Sequence, residues 1–351
     1  MKPEIELSGV ILNLIAEIDE FKGGWQYLSF LRPDALENMR RVATIESVGS
    51  STRIEGAKLS DVEVERLLSG LSAHSFQSRD EEEVAGYAGA MALVFDSYRE
   101  LTLTENHIRQ MHSVLLRHSS KDAWHRGEYK KLPNNVEAFD PEGKSIGVIF
   151  ETTPPFETPG KMTELTEWTA GALAAGELHP LLVIAAFVVH FLAVHPFQDG
   201  NGRLSRMLTM LLLLRQGYLY VPYASLEAVI EANKDSYYIA LRRSQKTLYT
   251  DKYNISPWIL FFLRTLKTQK DNLARKIGQG SPAALPDLPP LSLQLLELAK
   301  LEGRLTLSQA AGSIKANERT IRDHIQKLVK KGYLTKHGDR KATWYDIAKT
   351  Y

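Results

Sequence analysis

The 351-residue chain contains no cysteine. That absence excludes a disulfide framework, a thiolate zinc site, an iron–sulfur cluster and a cysteine nucleophile. Any metal must therefore use oxygen or imidazole ligands. Long apolar runs are also missing: the longest, Leu181 to Val194, is interrupted by His190 and falls short of the ~20 residues that span a bilayer. The opening Met1-Lys2-Pro3-Glu4-Ile5-Glu6 has neither the basic nor the apolar region of a secretory leader. A soluble, cytoplasmic protein with no membrane partner is expected. Low-complexity tracts are absent, and 44% apolar with 24% charged residues lies in the globular range.

Net charge is small at +1, but it conceals an asymmetry. Residues 291–351 carry 12 basic against 6 acidic residues, whereas the remainder carries 31 against 36. The shift coincides with Gly278 to Pro290, which holds four prolines and two glycines in thirteen residues and predicts an extended linker. Upstream, apolar residues recur at helical spacing, as in Leu36, Met39 and Ala43, or Ile108, Met111 and Leu115. This predicts a mainly α-helical large domain. From Tyr129 to Phe150 the pattern changes to a hairpin, with a turn at Asp140-Pro141-Glu142-Gly143 and alternation through Ile146, Val148 and Phe150. A hairpin that merely covers the core is the plainer alternative.

The chemistry-bearing segment is His195-Pro196-Phe197-Gln198-Asp199-Gly200-Asn201-Gly202-Arg203-Leu204-Ser205-Arg206, between two apolar helical runs. Gly200-Asn201-Gly202 allows positive φ, and successive backbone N–H groups in such a loop form an anion-accepting nest. A helix starting at about Gly202 would aim its unpaired N–H groups and positive dipole end at the same point. Arg203 and Arg206 share one side of that first turn. Cations there oppose the dipole unless an anionic ligand reverses the sign. Asp199 is a hard oxygen ligand suited to Mg²⁺, and His195 is a candidate base. Base, metal ligand, nest and arginines are the parts of a phosphate-transfer site. Singly, each has an ordinary structural reading; their conjunction within twelve residues does not.

The string His-Pro-Phe-x-Asp-Gly-Asn-Gly-Arg-x-x-Arg over residues 195–206 resembles the full signature of the Fic (filamentation induced by cAMP) family. The resemblance spans most of residues 40 to 265. It implies a Fic-type helical core with a β-hairpin flap, and an ATP- and Mg²⁺-dependent protein adenylyltransferase that moves AMP onto Ser, Thr or Tyr hydroxyls. Carried over by position, His195 would deprotonate the hydroxyl and Asp199 would hold Mg²⁺. Residues Gly200, Asn201, Gly202, Arg203, Leu204, Ser205 and Arg206 would bind ATP, with Asn233 and Tyr237 near the nucleoside. Tyr237 could equally be a packing residue. The hairpin corresponds to the flap that holds the target protein by strand addition.

Ser50-Ser51-Thr52-Arg53-Ile54-Glu55-Gly56 carries a second pattern. Gly56 reads as the residue closing a helix that begins near Pro33, which places Glu55 in the last turn, where the dipole disfavours a carboxylate. A cation elsewhere should stabilise it; otherwise Glu55 is a solvated surface residue. The string is similar to the inhibitory motif of self-braked Fic proteins. That implies Ser51, Glu55 and Gly56 as inhibitory residues and Arg206 as the cation. In some relatives the equivalent glutamate also supports removal of AMP, so the reverse reaction stays open.

The last segment begins with an apolar helix from Leu293 to Leu301, followed by Thr306-Leu307-Ser308-Gln309, which fits a capping box opening a short helix to Ala311. Asn317 caps a helix burying Ile321, Ile325 and Leu328 and leaving Arg319, Arg322 and Lys327 outward. Tyr333 to Thr335 and Thr343 to Tyr345 suggest a wing. The whole resembles a winged helix-turn-helix domain, whose basic face suits DNA or a protein partner.

The expected organisation is an N-terminal helical region (1–99, with the inhibitory helix at about 33–56), a catalytic domain (100–277), a linker (278–290) and a winged-helix α+β domain (291–351). The alternative function is a DNA-binding regulator that uses the same fold to sense a nucleotide. Self-modification and a homodimer are left open by sequence alone. His107 and His112 lie five apart on one helix, off the i, i+4 spacing of a metal pair, so helix packing or solvent contact suffices for them.

Overall fold

The structure, a computed structural model, describes residues 5–31, 33–70, 75–139, 145–279, 288–314, 316–338 and 343–348. It is mainly helical. In order come α1 (Gly9–Leu31), α2 (Pro33–Ile54), α3 (Asp61–Gly70), α4 (Arg79–Ser97), α5 (Glu105–Leu115), β1 (Val136–Phe139), β2 (Ser145–Phe150), α6 (Thr158–Ala175), α7 (Pro180–Val194) and α8 (Asn201–Arg215). After these are a single 3-10 turn at Val221–Tyr223, α9 (Leu226–Ala232), α10 (Lys234–Gln245), α11 (Ser256–Gln279), α12 (Pro290–Glu302), α13 (Leu307–Ser313), α14 (Glu318–Lys330), β3 (Leu334–His337) and β4 (Trp344–Ile347). The chain separates into two compact units, Met1–Gly23 with Asp34–Ala274, and Gly24–Pro33 with Arg275–Tyr351.

In the larger unit α7 is the central rod. Every residue from Leu181 to Val194 is buried, which explains why its sequence is apolar all round. Helices α6, α8 and α10 pack around it. At full burial each Leu, Val, Ile or Phe contributes roughly 1.5–3 kcal/mol, so the rod is a firm anchor for the loop at its C-terminal end. It starts cleanly: Pro180 occupies the first turn and the His179 ring accepts from Leu181 N–H at 3.3 Å. It stops because His195 takes a left-handed conformation, φ 51°. Helix α8 then packs against α7, buried from Leu204 to Leu214. The loop between these two helices is thus held by two buried rods.

Strands β1 and β2 pair antiparallel, Glu137 with Val148 and Ala138 with Gly147. The expected turn at Asp140 to Gly143 lies outside the described residues. So does the core of the expected linker, residues 280–287. No helix among the described residues is long and apolar enough to cross a membrane.

In the smaller unit Leu295, Ala299, Ile321, Ile325, Leu328 and Leu334 form the core. Thr306 and Gln309 form the expected capping box, and the Asn317 side chain accepts from Arg319 N–H at 2.9 Å. Helix α13 runs on through Gly312 and Ser313, two residues beyond its expected end. Leu305 bridges Tyr345 through two 2.8 Å backbone bonds, an isolated bridge beside the two-stranded sheet of β3 and β4.

Candidate active site

The loop from His195 to Gly200 is fixed from several sides. Asn201 is buried at the start of α8 and spends its amide on the loop, its Oδ1 accepting from Phe197 N–H at 2.9 Å and its Nδ2 donating to Phe197 C=O at 2.7 Å. Only its backbone is left for a ligand. Asn134 also donates to the carbonyls of His195 and Phe197, at 3.1 and 2.6 Å. Lys130 N–H donates to Pro196 C=O at 2.8 Å, and Tyr129 bridges Phe197, so the base of the flap is stitched to the motif. The buried Lys130 ammonium donates to Asn134, Thr152 and Val194 C=O at 2.7–3.0 Å. With no carboxylate beside it, desolvation lowers its pKa to about 8.

His195 Nδ1 lies 3.3 Å from Leu192 C=O. A carbonyl only accepts, so Nδ1 carries the proton and Nε2 presents a lone pair. Desolvation pushes the ring down to about 4, against a weaker upward pull from the Leu192 bond. At neutral pH it is a proton acceptor of fixed tautomer.

His112, for which sequence spacing suggests nothing beyond packing, has a specific place. It receives Gly127 N–H on Nδ1 at 3.0 Å, so Nε2 must carry the proton that it donates to Asp199 C=O at 3.0 Å. Its ring stacks on Phe197 at 3.9 Å. Burial lowers its pKa to about 4, which keeps this tautomer intact. No spacing rule exposes such a residue, because its partners are 15 and 87 positions away.

Gly200 takes φ +79° just before α8, and the first backbone bond of that helix runs from Leu204 N–H to Gly200 C=O at 2.9 Å. The N–H groups of Asn201, Gly202 and Arg203 therefore lie ahead of the helical ladder. Leu204 is wholly buried among the core residues, and the Ser205 hydroxyl donates to Gly202 C=O at 2.8 Å. Neither side chain is offered to a ligand.

Arg206 is tied to the end of α2. Its Nε donates to Ser51 Oγ at 2.8 Å, and its Nη2 donates to Ser51 C=O at 2.9 Å and Glu55 Oε1 at 2.8 Å. Burial is the largest single influence and disfavours its charge, yet Glu55, Tyr237 and Tyr87 together outweigh it and raise the pKa. Nη1 is buried with no partner. Tyr237, also buried, interacts with Arg206 and Ser205. The Asn233 amide donates to Val229 C=O at 2.8 Å, and Asn233 lines a groove of about 640 Å³ with Arg243, Phe261 and Arg264.

Glu55 is delivered by a tight helix end. Helix α2 stops at Ile54, so that Glu55 is the capping residue and Gly56 follows it as the expected C′ glycine. Gly56 has φ +110°, its N–H donates to Arg53 C=O, and Ala57 N–H reaches back to Thr52 C=O at 3.1 Å. This is a Schellman closure that calls for glycine. Arg53 pins the turn through Glu231 at 2.7 and 3.0 Å and Asp61 at 2.9 Å. The Glu55 carboxylate reaches the start of α8 so closely that a Cβ at Gly202 would overlap Oε1. It thus occupies the place where a helix N-terminus favours an anion.

Asp199 accepts from Arg79 Nη2 at 3.1 Å and from Arg203 Nη2 at 3.2 Å. Glu83 completes the group, 2.8 Å from Arg79 Nε and 3.1 Å from Arg203 Nη1. The second of these contacts lacks hydrogen-bond alignment, and Arg203 Nε has no partner. Among the described residues no cluster of three His, Cys, Asp or Glu could hold a metal alone. A lone carboxylate beside orphaned guanidinium N–H groups does suit a cation that shares its ligands with phosphate oxygens.

This arrangement, a buried pair of packed helices whose connecting loop carries the motif, is the Fic fold. Residues 102–213 match the model of the Fic/DOC family. A Fic family protein from Desulfovibrio desulfuricans superposes with TM-score 0.64 at 21% identity, over 100% of this chain and 99% of that one. A Fic domain containing signaling protein from Bacteroides thetaiotaomicron gives 0.61 at 23%, over 77% and 99%. Among sequence relatives, the protein adenylyltransferase Fic of Drosophila willistoni is 28% identical over 186 residues, 52% of this chain and 34% of its own length. That of Culex quinquefasciatus is 28% identical over 191 residues, again 52% and 34%. The chain therefore spans about a third of the length of the curated relatives it matches.

Proposed function

We propose that this protein is a self-inhibited protein adenylyltransferase. The observation that carries the reading is the Glu55 carboxylate, seated at the start of α8 and held by Arg206 where nucleotide phosphate would sit. The α8 N-terminus and Arg206 form an anion site, and the protein's own carboxylate fills it. ATP phosphates are the anions that suit a nest, two arginines and a neighbouring carboxylate, in keeping with the named activity of the relatives.

In the reaction a target Ser, Thr or Tyr hydroxyl oxygen attacks the α-phosphorus. The new O–P bond forms as the bond to the β-phosphate breaks, and pyrophosphate leaves with the electron pair. The hydroxyl proton passes to His195 Nε2, whose tautomer the Leu192 carbonyl sets. The N–H groups at the start of α8 and the free N–H groups of Arg203 and Arg206 grip the phosphates. Asp199 would hold a Mg²⁺, which would supply charge neutralisation for the leaving pyrophosphate. His112 holds the Asp199 carbonyl so that this loop does not sag. The target lies along the open edge of the two-stranded flap, whose Val148 is exposed. While Glu55 occupies Arg206, the γ-phosphate loses its partner and the α-phosphate is misaligned.

Mass spectrometry tests the reaction class. After incubation with ATP and Mg²⁺, Glu55→Gly should carry adenylate on a Ser, Thr or Tyr of itself or of an added target, and Glu55→Gly/His195→Ala should not. Phosphate in place of adenylate, or unmodified protein with Glu55→Gly, contradicts the reading.

The smaller unit supports a second element. Its helix order and its two-stranded sheet suit a winged helix-turn-helix, and Arg319, Arg322, Lys327 and Lys330 are exposed along α14. We infer that this face contacts DNA. Duplex binding by anisotropy should weaken steeply with salt; no binding at low salt removes the inference.

A further inference from the structure

Four charged side chains close a ring around the motif: Glu83 to Arg79, Arg79 to Asp199, Asp199 to Arg203, and Arg203 back to Glu83, at 2.8, 3.1, 3.2 and 3.1 Å. Two come from the motif and two from the first turns of α4. Arg203 is almost fully buried at 2% side-chain exposure and Glu83 is 12% exposed, whereas Arg79 and Asp199 are 47% and 39% exposed. The two members nearest solvent are thus the ones best able to part.

We propose that Arg79 is a placeholder cation: it neutralises Asp199 while no metal is bound, and withdraws onto Glu83 when a divalent cation arrives. The inference rests on the proposed function, in which Asp199 is the metal ligand. Its physical basis is competition for one carboxylate. Asp199 accepts from both guanidinium groups through one oxygen, Oδ2, and a divalent cation on the same carboxylate would repel the exposed guanidinium and weaken its hold. Arg79 loses little by leaving, because its Nε stays on Glu83 four residues along the same helix. Glu83 in turn holds Arg203 from the side opposite Asp199, so Arg203 keeps a counter-ion while its unpartnered Nε turns to phosphate. The ring therefore stores the site's charges in balance and passes one of them on as nucleotide and metal enter together.

The test uses calorimetry of Mn²⁺·ATP and of ATP in EDTA, on full-length Glu55→Gly so that Glu55 is not a second variable. Adding Arg79→Gln should tighten Mn²⁺·ATP roughly threefold, the scale of an exposed ion pair. In EDTA the same change should weaken ATP, because Asp199 is left without its counter-ion beside the phosphates. In Asp199→Asn the gain from Arg79→Gln should vanish. If Arg79→Gln weakens Mn²⁺·ATP or leaves it unchanged while Asp199→Asn loosens it, the placeholder fails and the metal assignment stands. If Asp199→Asn binds Mn²⁺·ATP as tightly as its parent, the metal assignment fails and the placeholder with it.

Discussion

The carboxylate of Glu55 and the guanidinium of Arg206 meet at 2.8 Å although 151 positions separate them in sequence. Around that contact the two ends are secured differently. Arg206 is buried in α8, while Glu55 rides on a glycine-closed helix end that Arg53 ties to α9. In the proposed reaction the fixed partner serves the nucleotide, and the carried partner is the brake.

If the pair works as proposed, its two members are not independent. Arg206→Ala should be slow whether residue 55 is Glu or Gly, because the group that the brake blocks is gone. A double-mutant cycle on AMP transfer should show strong non-additivity. Additive effects would mean that Glu55 acts elsewhere.

Arg53 lies outside the motif yet holds the end of α2 through Glu231 and Asp61. Arg53→Ala should release Glu55 part of the time and raise transfer several-fold, less than Glu55→Gly. In a Glu55→Gly background the same change should do nothing to the rate. A slowing of both would make Arg53 a structural support of the site itself.

For His112, substitution by Phe keeps the stack on Phe197 but removes both the bond to Asp199 C=O and the acceptor of Gly127 N–H. The expected result is a fall in kcat of about tenfold, the scale of one lost hydrogen bond of about 1–1.5 kcal/mol, together with a stability loss of roughly 1–3 kcal/mol from the buried Gly127 N–H left unpaired. Loss of stability with unchanged kcat would reduce His112 to packing.

The histidines also set an acid limit. Burial lowers His112, His190 and His195 to about 4, below the ordinary ~6.5 of an unfolded chain. Between these values the unfolded state binds more protons, so stability is level above about pH 6.5 and is lost progressively as pH falls toward about 4. Melting temperature should trace that slope. Since His195 acts as a neutral base, kcat/KM of Glu55→Gly should hold well below about pH 6 and fall only near 4; an acid limb near the ordinary ~6.5 would contradict the burial of His195.

The helical class, the hairpin and the motif were readable because each depends on local pattern: 3.6-residue periodicity, strand alternation, and twelve adjacent residues of unusual chemistry. Glu55 was readable through Gly56, which marks a helix end, and through the penalty on a carboxylate there. What escaped was non-local. The tautomer of His112, the stitching of Lys130 to Pro196 and the ring through Arg79 and Glu83 join segments dozens of residues apart, and no spacing announces them. Asn201 adds a non-local detail to the expected backbone nest: its side chain is committed to shaping the loop.

Initial rates of AMP transfer from ATP, measured side by side for wild type, Glu55→Gly and Glu55→Gly/His195→Ala, test the central claim most directly. Displacing reacting atoms by about 1 Å slows reactions on the order of a hundredfold, so Glu55→Gly should exceed wild type by about that factor, and removal of His195 should erase the gain. Equal rates for wild type and Glu55→Gly, or full activity without His195, would contradict the account.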